Sequence, residues 1–232
     1  MLRTIQEHNL VSVVIPTFDA AGDLPATLAA LGGTRLIAEI IIADGGSSDD
    51  SVAIASAAGA RIISAPRGRG TQLAAGAAAA SGDWLLFLHA DCRLAAGWEQ
   101  AVEAFVTAAG AAGRAGYFAF ALDDASPAAR RLERIVAWRC RALGLPYGDQ
   151  GLLIARALYH TVGGFAPLPL MEDVEFARRL GRRRLAPLGL SAYASARRYR
   201  RDGYTRRALH NLICLSLYFL GVPARHIARI YG

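Results

Sequence analysis

This sequence predicts an α/β fold: a mostly parallel sheet with helices on both faces, followed by C-terminal helices. Three observations carry that expectation. Short apolar runs alternate with helix-length segments through the first half of the chain, which implies right-handed βαβ crossovers. The runs are continuously apolar rather than alternating, as strands buried on both faces are. Finally, 53% of the 232 residues are hydrophobic and 19% charged, enough to build a sizeable core.

The elements follow in chain order. Val11 to Ile15 is a β-branched run ended by Pro16, the mark of a buried strand. Asp23 is placed to cap a helix that carries Pro25 in its first turn and runs to about Leu31. Glu39 to Ala43 is the second strand. Asp49 or Asp50 opens a helix to about Ala58, and Ala60 to Ser64 is the third strand. Thr71 to Ser81 is an alanine-rich helix closed by Gly82, and Trp84 to Leu88 is the fourth strand. Gly116 to Leu122 reads as a further strand. Ser126-Pro127 forms the N-cap and first residue of a helix to about Leu143. A glycine-rich segment, Gly144 to Gly151, precedes short helices near Ala155 to Val162 and Met171 to Arg182. Leu190 to Ala194 reads as an outer strand and Ala196 to Gly203 as an arginine-rich loop. Tyr204 to Tyr231 reads as two helices broken at Gly221-Val222-Pro223. No repeat or linker divides the chain, so residues 1–232 are expected to form one domain.

All 26 basic residues are arginine, against 19 acidic ones, and the net charge of +7 favours an anionic partner. The three cysteines lie far apart with no C-x-x-C pair, which argues against a structural zinc site or a disulfide framework. The N-terminal MLRTIQEHNL lacks the apolar region of a signal peptide. The longest apolar stretch, Leu212 to Val222, is interrupted by Ser216 and Gly221 and falls short of the roughly 20 residues of a spanning helix. The expected location is cytoplasmic, at most peripheral to the inner membrane face.

In parallel α/β sheets ligands bind beyond the C-terminal strand ends. Those ends carry Pro16, Thr17, Phe18 and Asp19, then Asp44 and Gly45, then the RGRG run containing Arg69, then His89, Ala90 and Asp91. Carboxylates, hydroxyls, arginines and glycines converging there have the composition of a nucleotide and metal site. Glycine lets phosphate approach the backbone and arginine supplies charge. Ser48 and Asp49 are read as capping residues of the following helix. There is neither a G-x-G-x-x-G after the first strand nor a G-x-x-x-x-G-K-[ST] anywhere, against a dinucleotide oxidoreductase or a P-loop enzyme.

VVIPTFDA (Val13 to Ala20), IIADGGSSDD (Ile41 to Asp50), GDWLLFLHADC (Gly82 to Cys92), VGGF (Val162 to Phe165) and MEDVEFARRLGRR (Met171 to Arg183), in that order, resemble the family 2 glycosyltransferases. The likeness covers roughly residues 10 to 200 and implies a Rossmann-like GT-A fold. It divides the chain into a nucleotide-binding half (about 10–95), an acceptor half (about 96–203) and C-terminal helices (about 204–232). GDQG, RRYRRDG and the C-terminal helices resemble a narrower bacterial subgroup, the glycosyltransferases of arsenosugar biosynthesis associated with radical-SAM and selenodomain proteins.

The resemblance implies roles. Asp44 stands where the family acid meets the nucleotide base, and Thr17 and Phe18 stand where the base and ribose pocket is lined. His89-Ala90-Asp91 stands in place of the D-x-D motif, with Asp91 as ligand to Mg²⁺ or Mn²⁺ and His89 a departure from the usual acid. Asp173, beside Glu172, stands where inverting members hold the catalytic base. Asp149 and Gln150 lie in an acceptor-side loop, and Arg198 and Arg201 in a segment that clamps the diphosphate. The expected reaction moves a sugar from a nucleoside-diphosphate donor, UDP-sugar by default, to a hydroxyl of a small-molecule or lipid-linked acceptor. A polyprenyl-phosphate glycosyltransferase, a nucleotidyltransferase and a non-catalytic binding module stay open as alternatives. Nucleic acid is not expected as a partner, because no basic helix carries interleaved aromatics. The helix from Leu209 to Leu220 is apolar nearly all round, so core packing, a homodimer interface and peripheral membrane contact are its three outlets.

Overall fold

The computed structural model describes residues 10–231, and within them one continuous eight-stranded sheet organises the chain. The first half builds as its apolar runs dictate: β1 (Val11–Thr17), α1 (Leu24–Ala29), β2 (Ile37–Asp44), α2 (Ser51–Ala57), β3 (Arg61–Ser64), α3 (Arg69–Ala79) and β4 (Trp84–Phe87). These four strands are mutually parallel in the order β3-β2-β1-β4. α3 lies on β1 and β2. It comes this close because Gly76 has no side chain; a Cβ there would stand 2.2 Å from Val14 Cγ1.

The second half is β5 (Cys92–Leu94), α4 (Trp98–Val106), β6 (Ala115–Leu122), α5 (Pro127–Leu143), β7 (Leu152–Ala155), α6 (Arg156–Thr161), α7 (Glu172–Leu180), β8 (Leu185–Ala194), α8 (Arg197–Asp202), α9 (Tyr204–Phe219) and α10 (Ala224–Tyr231). β7 pairs antiparallel with both β4 and β6, β8 runs parallel to β6, and β5 closes the edge antiparallel to β8. The sheet thus changes direction at β4–β7, and the full order is β3-β2-β1-β4-β7-β6-β8-β5. The main core runs from Val11, Val13 and Ile15 through Leu85 and Leu86 to Phe118, Trp98 and Phe176.

Four readings of the sequence need correction. β7 is a strand where only a glycine-rich run and a helix were expected; four residues, three of them buried, are too few to declare themselves beside a helix start. β5 and α4 occupy residues 92–106, where nothing was assigned, although Trp98, Val102 and Val106 are buried at helical spacing. β8 begins at Leu185 rather than Leu190, its start masked by Pro187 and Gly189 and its pairing with β6 broken by a register shift between Tyr117 and Ala119. The arginine-rich segment is a helical turn, α8, not a loop.

Candidate active site

The ends of β1 and β2 form a closed polar lattice. Asp44, only 7% exposed, accepts from the amides of Gly46 (2.9 Å) and Ser47 (3.0 Å) and from Ser47 Oγ (2.6 Å). The Asp19 amide donates to Ser47 Oγ at 3.0 Å, and the Ser48 amide to Asp19 Oδ1 at 2.8 Å. Asp49 accepts from the Ala21 amide at 2.9 Å, so it ties two loops together. Gln72 Nε2 donates to the carbonyls of Thr17 and Ala43, both at 2.8 Å. Thr17 is buried, and Phe18 lies under the Arg67 guanidinium, 3.8 Å from ring centroid to Cζ. A carboxylate has about four acceptor positions. Three donors hold Asp44, which leaves one for a ligand.

The neighbouring region is different. The His89–Asp91 turn is pinned through its backbone: Thr27 Oγ1 donates to Ala90 O (2.8 Å) and the Ser195 amide to Asp91 O (3.2 Å). Opposite it stands a 3-10 turn, Gly148–Gln150. The Gly148 amide donates to Asp173 Oδ2 at 2.8 Å, which ties that turn to the start of α7. Only glycine fits there, since a Cβ on Gly148 would lie 2.3 Å from His89 Nε2. His89, Tyr147, Gly148, Glu172 and Asp173 thus share one narrow cavity, floored by Leu73, Phe87, Leu88 and Phe176.

Polar atoms without partners collect here. His89 Nε2, Tyr147 Oη, Asp149 Oδ1 and both Glu172 oxygens are buried with no hydrogen bond. Buried polar groups are rarely left unpaired, so this concentration marks a place built for something other than stability. Burial drives the charges. Glu172, fully buried, is pushed up to about 8, first by desolvation and then by the charge of Asp173, while Arg69 opposes. Asp149 is pushed up to about 6 by desolvation, with Asp173 and Asp91 adding to it and Arg139 opposing. His89 is held low by desolvation and by the Arg69 charge, so its ring is neutral at neutral pH. Arg69 is held firmly cationic by Glu172, Asp173 and Asp91 against desolvation.

The structure therefore brings Arg69, His89, Asp91, Asp149, Glu172 and Asp173 together, and the charge of Arg198 also acts on His89. Pro16, Thr17, Phe18, Asp19, Asp44 and Gly45 form the adjoining lattice. Two expected site residues are corrected. Gln150 is 1% exposed, donating to Phe118 O at 2.9 Å and accepting from the Tyr147 amide, Arg139 and Cys140 Sγ, so it is a strut and not an acceptor contact. Arg201 is exposed and bonded to Asp202 Oδ1 at 2.7 Å, away from the cluster. Sequence reading missed Gln72, Arg139 and Tyr147. Arg139 stacks over the Tyr147 ring at 3.4 Å and fixes the turn that carries Asp149. Nothing local signals these residues, because each acts through a neighbour distant in sequence or across a turn.

Residues 12–121 match the family described as glycosyl transferase family 2. That match spans just under half of the chain, its nucleotide-side part, and supports an enzyme. Among solved structures the chain is similar to glucosyl-3-phosphoglycerate synthase from Mycobacterium tuberculosis in complex with Mn²⁺, UDP-glucose and phosphoglyceric acid. That likeness has a TM-score of 0.58 at 23% identity, over 93% of this chain and 81% of the other. It is also similar to S. aureus TarS, with a TM-score of 0.60 at 15% identity over 95% of this chain and 42% of TarS. These likenesses establish the GT-A fold. No curated protein matches.

Proposed function

We propose that this chain is a family 2 glycosyltransferase that transfers a sugar from a nucleoside-diphosphate donor, UDP-sugar first, to a hydroxyl acceptor with inversion, and that residues 1–232 act as one unit. The observation that carries the reading is Asp173. It is a carboxylate at the cavity, held by the Gly148 amide, beside the fully buried Glu172, whose raised pKa keeps it protonated at neutral pH. A hydrogen-bonded carboxyl group beside a neutral acid suits removal of a single hydroxyl proton during attack on the anomeric carbon. Glu172 in its protonated form donates to or accepts from acceptor oxygens without adding charge. Arg69, and Arg198 beyond it, offer positive charge to a diphosphate. Asp44 and the Phe18–Arg67 stack border the space for the base.

A divalent ion fits the donor set. Asp91 and the unpartnered Asp149 Oδ1 are hard oxygen donors whose charges act on one another. Among the described residues no three His, Cys, Asp or Glu side chains cluster as a complete metal site, so diphosphate oxygens and water would complete the shell. When bound, Mg²⁺ or Mn²⁺ would stabilise negative charge on the departing diphosphate. The synthase from M. tuberculosis, crystallised with Mn²⁺ and UDP-glucose, supports trying these first. The narrower likeness to arsenosugar-biosynthesis enzymes contributes a set of acceptors to screen. A lipid-linked acceptor is a second reading, favoured by the exposed apolar residues of α9.

The test is a thermal-shift panel of UDP, GDP, CDP and ADP with and without Mn²⁺, on wild type and Asp91→Ala. A ligand at 100 times its Kd raises stability by about 2.7 kcal/mol. The expected result is a Mn²⁺-dependent shift with UDP that Asp91→Ala abolishes. A shift with no nucleoside diphosphate would sink the proposal, and pyrophosphate release from an NTP would replace it with nucleotidyl transfer.

A further inference from the structure

The outer side of the C-terminal layer is apolar and positive. α9 exposes Leu209 (55%), Leu212 (56%) and Ile213 (47%), Leu220 just past its end is 80% exposed, and α5, packed against α9, exposes Ile135 (63%) and Trp138 (59%). On α9 residues 209, 212 and 213 recur at the spacing of one helical face. These side chains therefore make a stripe rather than scattered exposures, which alone would need no explanation.

Arginines flank the stripe: Arg131, Arg134 and Arg141 on α5, Arg206 on α9, and Arg225 and Arg229 on α10. All six are exposed, and among the described residues none is in an ion pair. Nearby carboxylates are already engaged. Glu133 accepts from Arg130 and from the Leu122 amide, and Asp202 pairs with Arg201 and Arg207. From residue 203 to 231 the chain has no Asp or Glu.

We propose that the outward face of α5, α9 and α10 docks on an anionic bilayer surface. Apolar side chains enter the headgroup boundary while arginines meet lipid phosphates, which is how interfacial helices bind. Charge decides against a second copy of this chain as occupant. A twofold interface presents the same patch from both sides, and here it would set unpaired arginines against themselves. No described helix is long and apolar enough to cross the membrane, so the contact is peripheral. The inner side of the same layer packs on the entrance to α7. Cys214 of α9 and Ile227 of α10 touch the cluster of Leu170, Met171 and Val174, with Tyr147 against it. Docking would hold the candidate site one helix layer from the lipid. The inference stands on this surface alone and does not depend on the reaction proposed above.

Co-sedimentation of the full chain with phosphatidylglycerol and with phosphatidylcholine vesicles tests it, together with tryptophan emission. Trp84 and Trp98 are buried, so a vesicle-induced blue shift reports Trp138. The expected result is phosphatidylglycerol binding about tenfold or more above phosphatidylcholine, weakened by salt. Leu209→Ser with Leu212→Ser, and separately Arg131→Gln with Arg225→Gln, should each lower it while leaving the melting temperature unchanged, since all four side chains are exposed. No binding to phosphatidylglycerol, or binding that neither pair of substitutions weakens, overturns the proposal. A dimer seen by light scattering and dissolved by the leucine substitutions would also overturn it, assigning the face to a second copy.

Discussion

The nucleotide-side loops and the cavity beside Asp173 lie next to each other but are built by opposite rules. In the first, the carboxylates of Asp19 and Asp49 accept hydrogen bonds from the facing loop and Asp44 from its own, so the loops hold their shape without a ligand. In the second, Glu172, Asp149, His89 and Tyr147 are buried with atoms unpaired. Satisfied networks rigidify and specify shape. Unsatisfied buried groups oppose stability and keep shifted proton affinities, the condition for acid–base chemistry. The first region is therefore read as a preformed cradle and the second as the place where bonds change.

Substitutions can break this contrast, beginning with the largest effect. Asp173→Asn should lower kcat about 10²–10⁴-fold while the UDP-induced thermal shift survives; steady-state kinetics beside that shift checks it. A much smaller loss would point to a phosphate acceptor, which needs no base. Asp44→Ala should act in the opposite way, by stability. Losing a buried carboxylate that accepts from Gly46 and Ser47 should cost about 2 kcal/mol in urea unfolding, with weakened nucleotide binding.

Glu172→Gln sharpens the comparison through pH. The folded value of Glu172 is raised above the ordinary 4.5 to about 8, so the fold binds its proton more tightly than the unfolded chain does. Stability must then fall as pH rises from about 4.5 toward 8. His89, held low, acts in the other direction below its ordinary 6.5, so the interval from 6.5 to 8 isolates Glu172. There wild type should lose up to about 2 kcal/mol relative to Glu172→Gln; melting curves at both pH values measure it, and parallel curves would contradict the burial argument. The smallest effect belongs to Arg201→Ala. Its exposed pair with Asp202 predicts no measurable change in the urea midpoint and unchanged kcat, whereas Arg198→Ala should raise the donor KM.

Much of the first half was legible in advance, because β1 to β4 are apolar runs whose neighbours in sequence become neighbours in space. The strand-end residues followed from that topology, and the family resemblance singled out Asp173 as the expected base. The glycine-rich segment shows the limit. Composition marks Gly148 to Gly151 as a turn, but nothing local says that Gly148 abuts His89, or that Gln150 is a strut while Asp149 beside it is a charged group without a partner.

What the sequence by itself determined is the alternation of strand and helix, the positions of the acids and arginines at the strand ends, and an apolar, acid-free C-terminal stretch. These follow from local pattern, since periodicity, caps and turn residues act within a few positions. Only the tertiary structure decided that the sheet reverses at β4–β7, that α5 and α9 each leave apolar and basic side chains exposed, and that Glu172 and Asp149 are desolvated. Desolvation belongs to no residue alone: it depends on how many atoms of distant segments exclude water, and that number exists only once β4, the Gly148 turn and α7 have come together.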